Sequence, residues 1–153
     1  MDEVKVPGGK GNKSKKERLA EIDDIERDSD DRGRILSIVD HTIRNVSIID
    51  SFPNSMRSNH FHYKDFHFMY VLEGEIDYFF KPLDSEKVEY MKIKPGQTIF
   101  TPNNEIHSCH FPKHTRMVVS SGFPRDQKTY EADVVRINLI DPSDSITWQP
   151  NEE

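Results

Sequence analysis

The chain has 153 residues, a mass of 17.9 kDa and a formal net charge of -6, with one cysteine and an apolar content of 34%. No apolar run reaches the roughly 18–20 residues of a membrane-spanning helix, and Met1 is followed by charge rather than by a signal-peptide core. The lone Cys109 excludes an intrachain disulfide and the acidic body argues against nucleic acid, so a cytoplasmic protein acting on a small molecule is expected.

The first 34 residues hold nine Lys/Arg, ten Asp/Glu and no aromatic residue. Such a stretch buries too little apolar surface to offset its ordering entropy, so 1–33 reads as a charged, disordered tail. Its basic run from Lys10 to Lys16 is a solvated segment, because acidic residues follow at once. Within the tail, 15–27 has the spacing of a short helix, with Leu19, Ile22 and Ile25 as a thin apolar seam. The turn 28–33 marks the boundary of a domain spanning 34–140, and 141–153 reads as a second tail whose one large apolar residue is Trp148.

Beyond the boundary, β-branched and aromatic runs alternate with turn signals, and no helical period is sustained. Strands are predicted at 35–39, 45–50, 58–61, 66–72, 75–81, 88–93, 98–100, 108–111, 115–120 and 134–139. Glu73-Gly74 forms a tight hairpin, 82–87 a polar loop, and Lys94-Pro95-Gly96 a turn. This many short strands means an all-β antiparallel sandwich or barrel. The run 66–72 is apolar on both faces, which predicts a second sheet on one side and a partner subunit, hence a homodimer, on the other.

Four histidines carry the chemistry. His60 and His62 alternate on one strand and therefore point the same way, His67 enters the next strand, and His107 follows a distant turn. Neutral imidazoles converging inside a barrel suit one divalent transition metal per chain, among Zn, Fe, Ni and Mn. Cys109 shares the inward face of His107 and reads as a small buried core residue, whereas His41, His110 and His114 read as surface residues. Tyr78, Met69 and Phe100 are candidates for the pocket wall.

The spacing His60-x-His62-(x4)-His67-(x6)-Gly74 resembles the first cupin motif, with histidine at 67 where glutamate usually stands. The stretch Gly96-(x5)-Pro102-x-Asn104-(x2)-His107 resembles the second, with Asn104 replacing a glycine and Phe111 replacing the final asparagine. The resemblance implies a double-stranded β-helix, or jelly-roll barrel, with His60, His62, His67 and His107 as metal ligands. Arg57-Ser-Asn-His60 further resembles the Arg-x-x-His segment of the sugar-nucleotide 3,5-epimerases and 3,4-ketoisomerases, and Asp30-Asp-Arg-Gly33 their Asp-x-x-Gly opening. Carried over, this gives Arg57 a phosphate role and His60 a base role, and Arg125 is placed to reach an anion. The resulting expectation is a carbohydrate or nucleotide-sugar isomerase, epimerase or lyase with a Lewis-acid metal. In that reading Arg57 and Tyr78 are catalytic, and Arg57, Met69 and Phe100 bind a small polar substrate. A mononuclear iron oxygenase and a non-catalytic binding or sensing module are the alternatives.

Overall fold

The computed structural model describes residues 21–24 and 28–140. Two five-stranded antiparallel sheets face each other and a two-stranded ribbon stands beside them. In chain order the strands are β1 (Glu21–Asp24), β2 (Asp28–Asp30), β3 (Gly33–Ile35), β4 (Asn45–Ser51), β5 (Ser55–His62), β6 (His67–Glu73), β7 (Ile76–Pro82), β8 (Glu89–Ile93), β9 (Gln97–Thr101), β10 (Glu105–Phe111) and β11 (Thr115–Ser121). A helix, α1 (Gln127–Asp133), and a last strand, β12 (Val134–Arg136), close the described chain. One sheet runs β1-β9-β6-β11-β4, the other β12-β5-β10-β7-β8, and β2 pairs with β3. No helix among the described residues is long and apolar enough to cross a membrane.

Strand alternation builds the core. Met69 and Val71 of β6, Ile99 of β9, and Met117 and Val119 of β11 point inward from one sheet. Ile76, Tyr78 and Phe80 of β7, Ile93 of β8, and Cys109 and Phe111 of β10 meet them from the other. Two turns have backbone demands met by residue type. Gly74, in the β6–β7 hairpin, has φ of +86°, and a Cβ there would lie 2.4 Å from the carbonyl oxygen of His114. Asn104, where the second motif usually has glycine, has φ of +58°, a left-handed conformation that asparagine tolerates better than most residues. Its N–H donates to the carbonyl of His62 at 2.8 Å, joining the two motifs.

Five expectations are corrected. The helix read across 15–27 is not found at 21–24, which form edge strand β1 in register with β9 from Glu21↔Phe100 to Asp24↔Gln97. Pairing along that open edge overrides a weak helical spacing; the rest of that stretch, and Trp148, lie outside the described residues. The strand expected at 35–39 is not formed beyond Ile35, and that expected at 134–139 stops at Arg136. Among the outward side chains of β6, Phe68, together with Phe66 just before the strand, is covered by this chain itself. Phe100 packs on both at tilted angles and Val39 and Ile43 pack against the cluster, whereas Leu72 stays exposed. Phe100 therefore packs in this outer cluster and does not line the interior.

Candidate active site

The bend that makes the site lies in β5. His60 and His62 project inward from its end, His107 pairs opposite His60 on β10, and His67 begins β6 in the facing sheet. Their rings meet edge to face, with centroid separations of 4.6 Å (His60–His62), 4.8 Å (His60–His107) and 5.0 Å (His62–His67). All four are buried. The spacing thus brings together the four histidines expected.

Their hydrogen bonds fix the rings. His107 Nδ1 lies 3.0 Å from the Glu105 carbonyl, which only accepts, so Nδ1 carries the proton and Nε2 keeps its lone pair. His67 Nδ1 is 2.9 Å from Ser121 Oγ. His62 Nδ1 stands 3.4 Å from Asp133 Oδ2, beyond good hydrogen-bond geometry, and neither of its ring nitrogens has a hydrogen-bond partner. Burial is the first cause that holds every one of these imidazoles neutral: His60 is pushed down to about 2, His107 to about 4, and His62 and His67 also fall. For His60 the neighbouring histidines, Arg136 and Arg125 push in the same direction.

Several residues that sequence reasoning passed over complete the surroundings. Asp133, at the end of α1, accepts the backbone N–H groups of Lys64 and Asp65 at 2.9 Å each, which anchors the helix to the turn after β5. Asp65 is buried, its carboxyl raised to about 6 by burial and, secondarily, by Asp133, against the opposing hydrogen bond from the Phe66 N–H. Tyr130 of α1 sets its ring 6.2 Å from His60 and 5.4 Å from His62, and burial raises its phenol. The helix was missed because none of its residues is buried, so it has no apolar period; the legible signal was its cap, Asp126, which accepts from Thr129 N–H at 3.0 Å and Thr129 Oγ1 at 2.8 Å.

A cavity of about 330 Å³ opens onto these groups. Its polar wall holds His60, His67, His107, Tyr130, Arg57, Arg125 and Arg136, and its floor holds Met56, Met69, Met117 and Cys109. Among the described residues no carboxylate lines it. Arg57 donates through Nε to Ser51 Oγ at 2.8 Å and through Nη2 to the Asp50 carbonyl at 3.0 Å. Arg136 forms a two-pronged pair with Glu131, at 2.7 and 3.0 Å. Met69 and Arg57 both line this cavity.

Tyr78 does not. It is fully buried beneath His107, rings stacked at 6.1 Å, and its hydroxyl is taken up by Thr101 Oγ1 at 2.9 Å and Glu105 Oε1 at 3.4 Å, away from the cavity wall. His110, expected at the surface, is buried and faces Asp77 Oδ2 at 3.3 Å, whereas His41 leans on Phe66 and His114 is half exposed. Cys109 is a buried core residue, as expected, with burial raising its thiol to about 12. Asp30 binds Arg32 within the β2–β3 ribbon, and neither lines the cavity.

Paired antiparallel sheets with histidines from β5, β6 and β10 turned into one interior define a cupin barrel. Residues 40–139 match the family described as Cupin, and the chain belongs to that family. No curated protein matches the sequence. Among solved structures, the chain is similar to QdtA, a sugar 3,4-ketoisomerase from Thermoanaerobacterium thermosaccharolyticum in complex with TDP, at 16% identity and a TM-score of 0.62 over 76% of this chain and 87% of that one. A 3,4-ketoisomerase from Helicobacter canadensis gives 14% identity and a TM-score of 0.63 over 84% and 95%. The dTDP-6-deoxy-D-glucose-3,5-epimerase RmlC from Legionella pneumophila gives 14% and 0.65 over 88% and 80%.

Proposed function

We propose that the protein is an isomerase or epimerase of a nucleotide-linked keto sugar. The observation that carries this reading is the cavity itself, in which three guanidinium groups share a wall with a neutral histidine and a tyrosine and no carboxylate of the described residues is among the lining. Three clustered guanidinium groups, of which Arg136 is already paired with Glu131, favour a multiply charged anion such as a diphosphate, and those similar structures include one holding TDP. His60 is the base. It lines the cavity, and a bound diphosphate would offset Arg125 and Arg136, two of the charges that hold its affinity for protons down.

The reaction needs one proton moved at a carbon beside a carbonyl. His60 takes the proton, the C–H electron pair passes into the carbonyl to give an enolate, and Tyr130, its phenol raised by partial burial, returns a proton to carbon. That carbon is the same one for epimerisation, or the former carbonyl carbon for isomerisation, the neighbouring hydroxyl proton then passing from one oxygen to the other. Transfer of the His60 proton to the tyrosinate restores both groups. Arg57, Arg125 and Arg136 hold the phosphates. The test is titration with TDP and incubation of TDP-4-keto-6-deoxyglucose in D2O. Binding in the micromolar range with deuterium appearing beside the carbonyl, both with His60 intact and only binding in His60→Asn, is expected. Wild-type protein that neither binds TDP nor exchanges deuterium overturns the reading.

A second reading adds a metal. Among the described residues, the ligand atoms of His62, Asp65 and His67 lie within 4.8 Å of one another, and His62 is buried with neither ring nitrogen in a hydrogen bond, its Nδ1 only 3.4 Å from Asp133, so these residues fit a divalent transition ion such as Zn, Fe, Ni or Mn. His60 and His107 stand outside that group, which leaves His60 its role as base. A metal held there would supply Lewis acidity to the carbonyl oxygen. Elemental analysis of protein prepared without chelators should find close to one equivalent, lost in His62→Ala; less than a tenth of an equivalent after exposure to Zn, Fe, Ni and Mn removes this reading and leaves the first.

A further inference from the structure

Strand β5 contains two successive non-glycine residues in the left-handed region, Ser58 at φ +74° and Asn59 at φ +56°. Opposite them the pairing with β10 jumps: Ser108 faces Ser58 and His107 faces His60, so Asn59 is the extra residue of a bulge. In an unbroken strand, residues three apart point to opposite faces. The extra residue cancels that parity, and Arg57 and His60 both line the cavity. Backbone held in a sparsely populated region persists only where the surroundings fix it.

The Asn59 side chain supplies that fixing. Its Oδ1 accepts the N–H groups of Leu139 at 3.1 Å and Ile140 at 3.2 Å, and also the Ser108 hydroxyl. Its Nδ2 donates to the Ile140 carbonyl at 3.1 Å, and its backbone carbonyl accepts the Ile137 N–H at 2.8 Å. Through these bonds one residue ties β5 and β10 to the segment that follows β12. Arg136, the last residue of β12, is paired opposite His60 and precedes the clamped segment by one residue.

We infer that Asn59 is a positioning residue for the anion site, setting Arg57 and Arg136 on the same ligand without touching it. This rests on the reading of the cavity as a diphosphate site. A role confined to stability would lower the melting temperature without coupling to Arg136.

The test is calorimetric titration with TDP and with inorganic pyrophosphate at fixed ionic strength. Asn59→Ala should weaken both ligands about tenfold or more. Ser108→Ala, which removes one of the same bonds but leaves the clamp on 137–140, should lower the melting temperature while affinity stays within twofold. The double variant Asn59→Ala/Arg136→Gln should lose less affinity than the product of the two single losses, because part of the Asn59 effect runs through Arg136 and only its effect on Arg57 remains. Should Asn59→Ala not fold, Asn59→Gly, free to take positive φ, carries the same comparison. Affinity within twofold of wild type in the Asn59 variant, or losses that multiply fully in the double variant, overturns the inference while the diphosphate reading stands. Absence of TDP and pyrophosphate binding by wild-type protein overturns both.

Discussion

In the proposed reaction His60 and Tyr130 divide the work of moving a proton, and their surroundings favour the protonation state each would need. Both are shaped chiefly by burial, which keeps the imidazole unprotonated and the phenol protonated. Tyr130→Phe keeps the ring against His60 and His62 but removes the hydroxyl, so turnover should fall by about 10²–10⁴ with KM nearly unchanged. Steady-state kinetics on the keto sugar nucleotide reads this, and wild-type turnover in the variant sinks the assignment. Tyr78→Phe should cost stability instead, since it removes a buried hydroxyl's hydrogen bonds to Thr101 and Glu105 and touches no ligand. The histidines were legible because strand alternation turns sequence spacing directly into direction. Tyr130, Asp133 and Arg136 were not, because they reach the site from the chain's return over the barrel mouth, which no local period encodes.

At the level of elements, the β6–β7 hairpin is the joint whose geometry leaves least freedom. A Cβ at Gly74 would meet the carbonyl oxygen of His114 and the Oγ1 of Thr115, each at 2.4 Å, and φ there is +86°. Gly74→Ala combines an unfavourable backbone with a clash against main chain, so it should destabilise by about 2–4 kcal/mol. Thermal denaturation should show the loss as a drop of several degrees or more; a change under 1 °C would contradict the turn geometry. Most strands were readable to within a few residues because apolar alternation and Gly-Pro turns agree there. Edge strand β1 was not readable, since its conformation answers to an open edge of β9 more than 70 residues away rather than to its own side chains.

For the molecule as a whole, four neutral histidines in one interior make folding sensitive to acid. In an unfolded chain each titrates near 6.5, but in the folded barrel His107 titrates near 4 and His60 near 2, with His62 and His67 also lowered. Between those limits the unfolded chain binds protons that the native state refuses, so stability is complete above about pH 6.5 and is lost as pH falls. Asp65 works in the opposite direction, its carboxyl raised to about 6, but it is one group against four. The melting temperature should therefore fall from pH 7.5 to pH 5, and His107→Asn should flatten the slope. A flat profile in wild-type protein would refute the coupling. We also propose that the chain is a homodimer: β4 ends its sheet with Val46 63% and Ile48 58% exposed, and Leu72 of the same sheet is 46% exposed. Light scattering should give twice the monomer mass, and Val46→Glu/Ile48→Glu the monomer; wild-type protein that is monomeric at 50 μM removes the proposal.

The contrast between β10 and α1 has a kinetic consequence. Every residue of β10 is buried and the strand is paired on both sides, whereas α1 buries none of its residues and is held at its end by Asp133. Amide hydrogen exchange should be slowest in β10 and fast in α1, because local opening of the helix exposes little apolar surface. Such openings would carry Tyr130 away from the cavity and readmit water, so each excursion is also a moment when a bound ligand can leave.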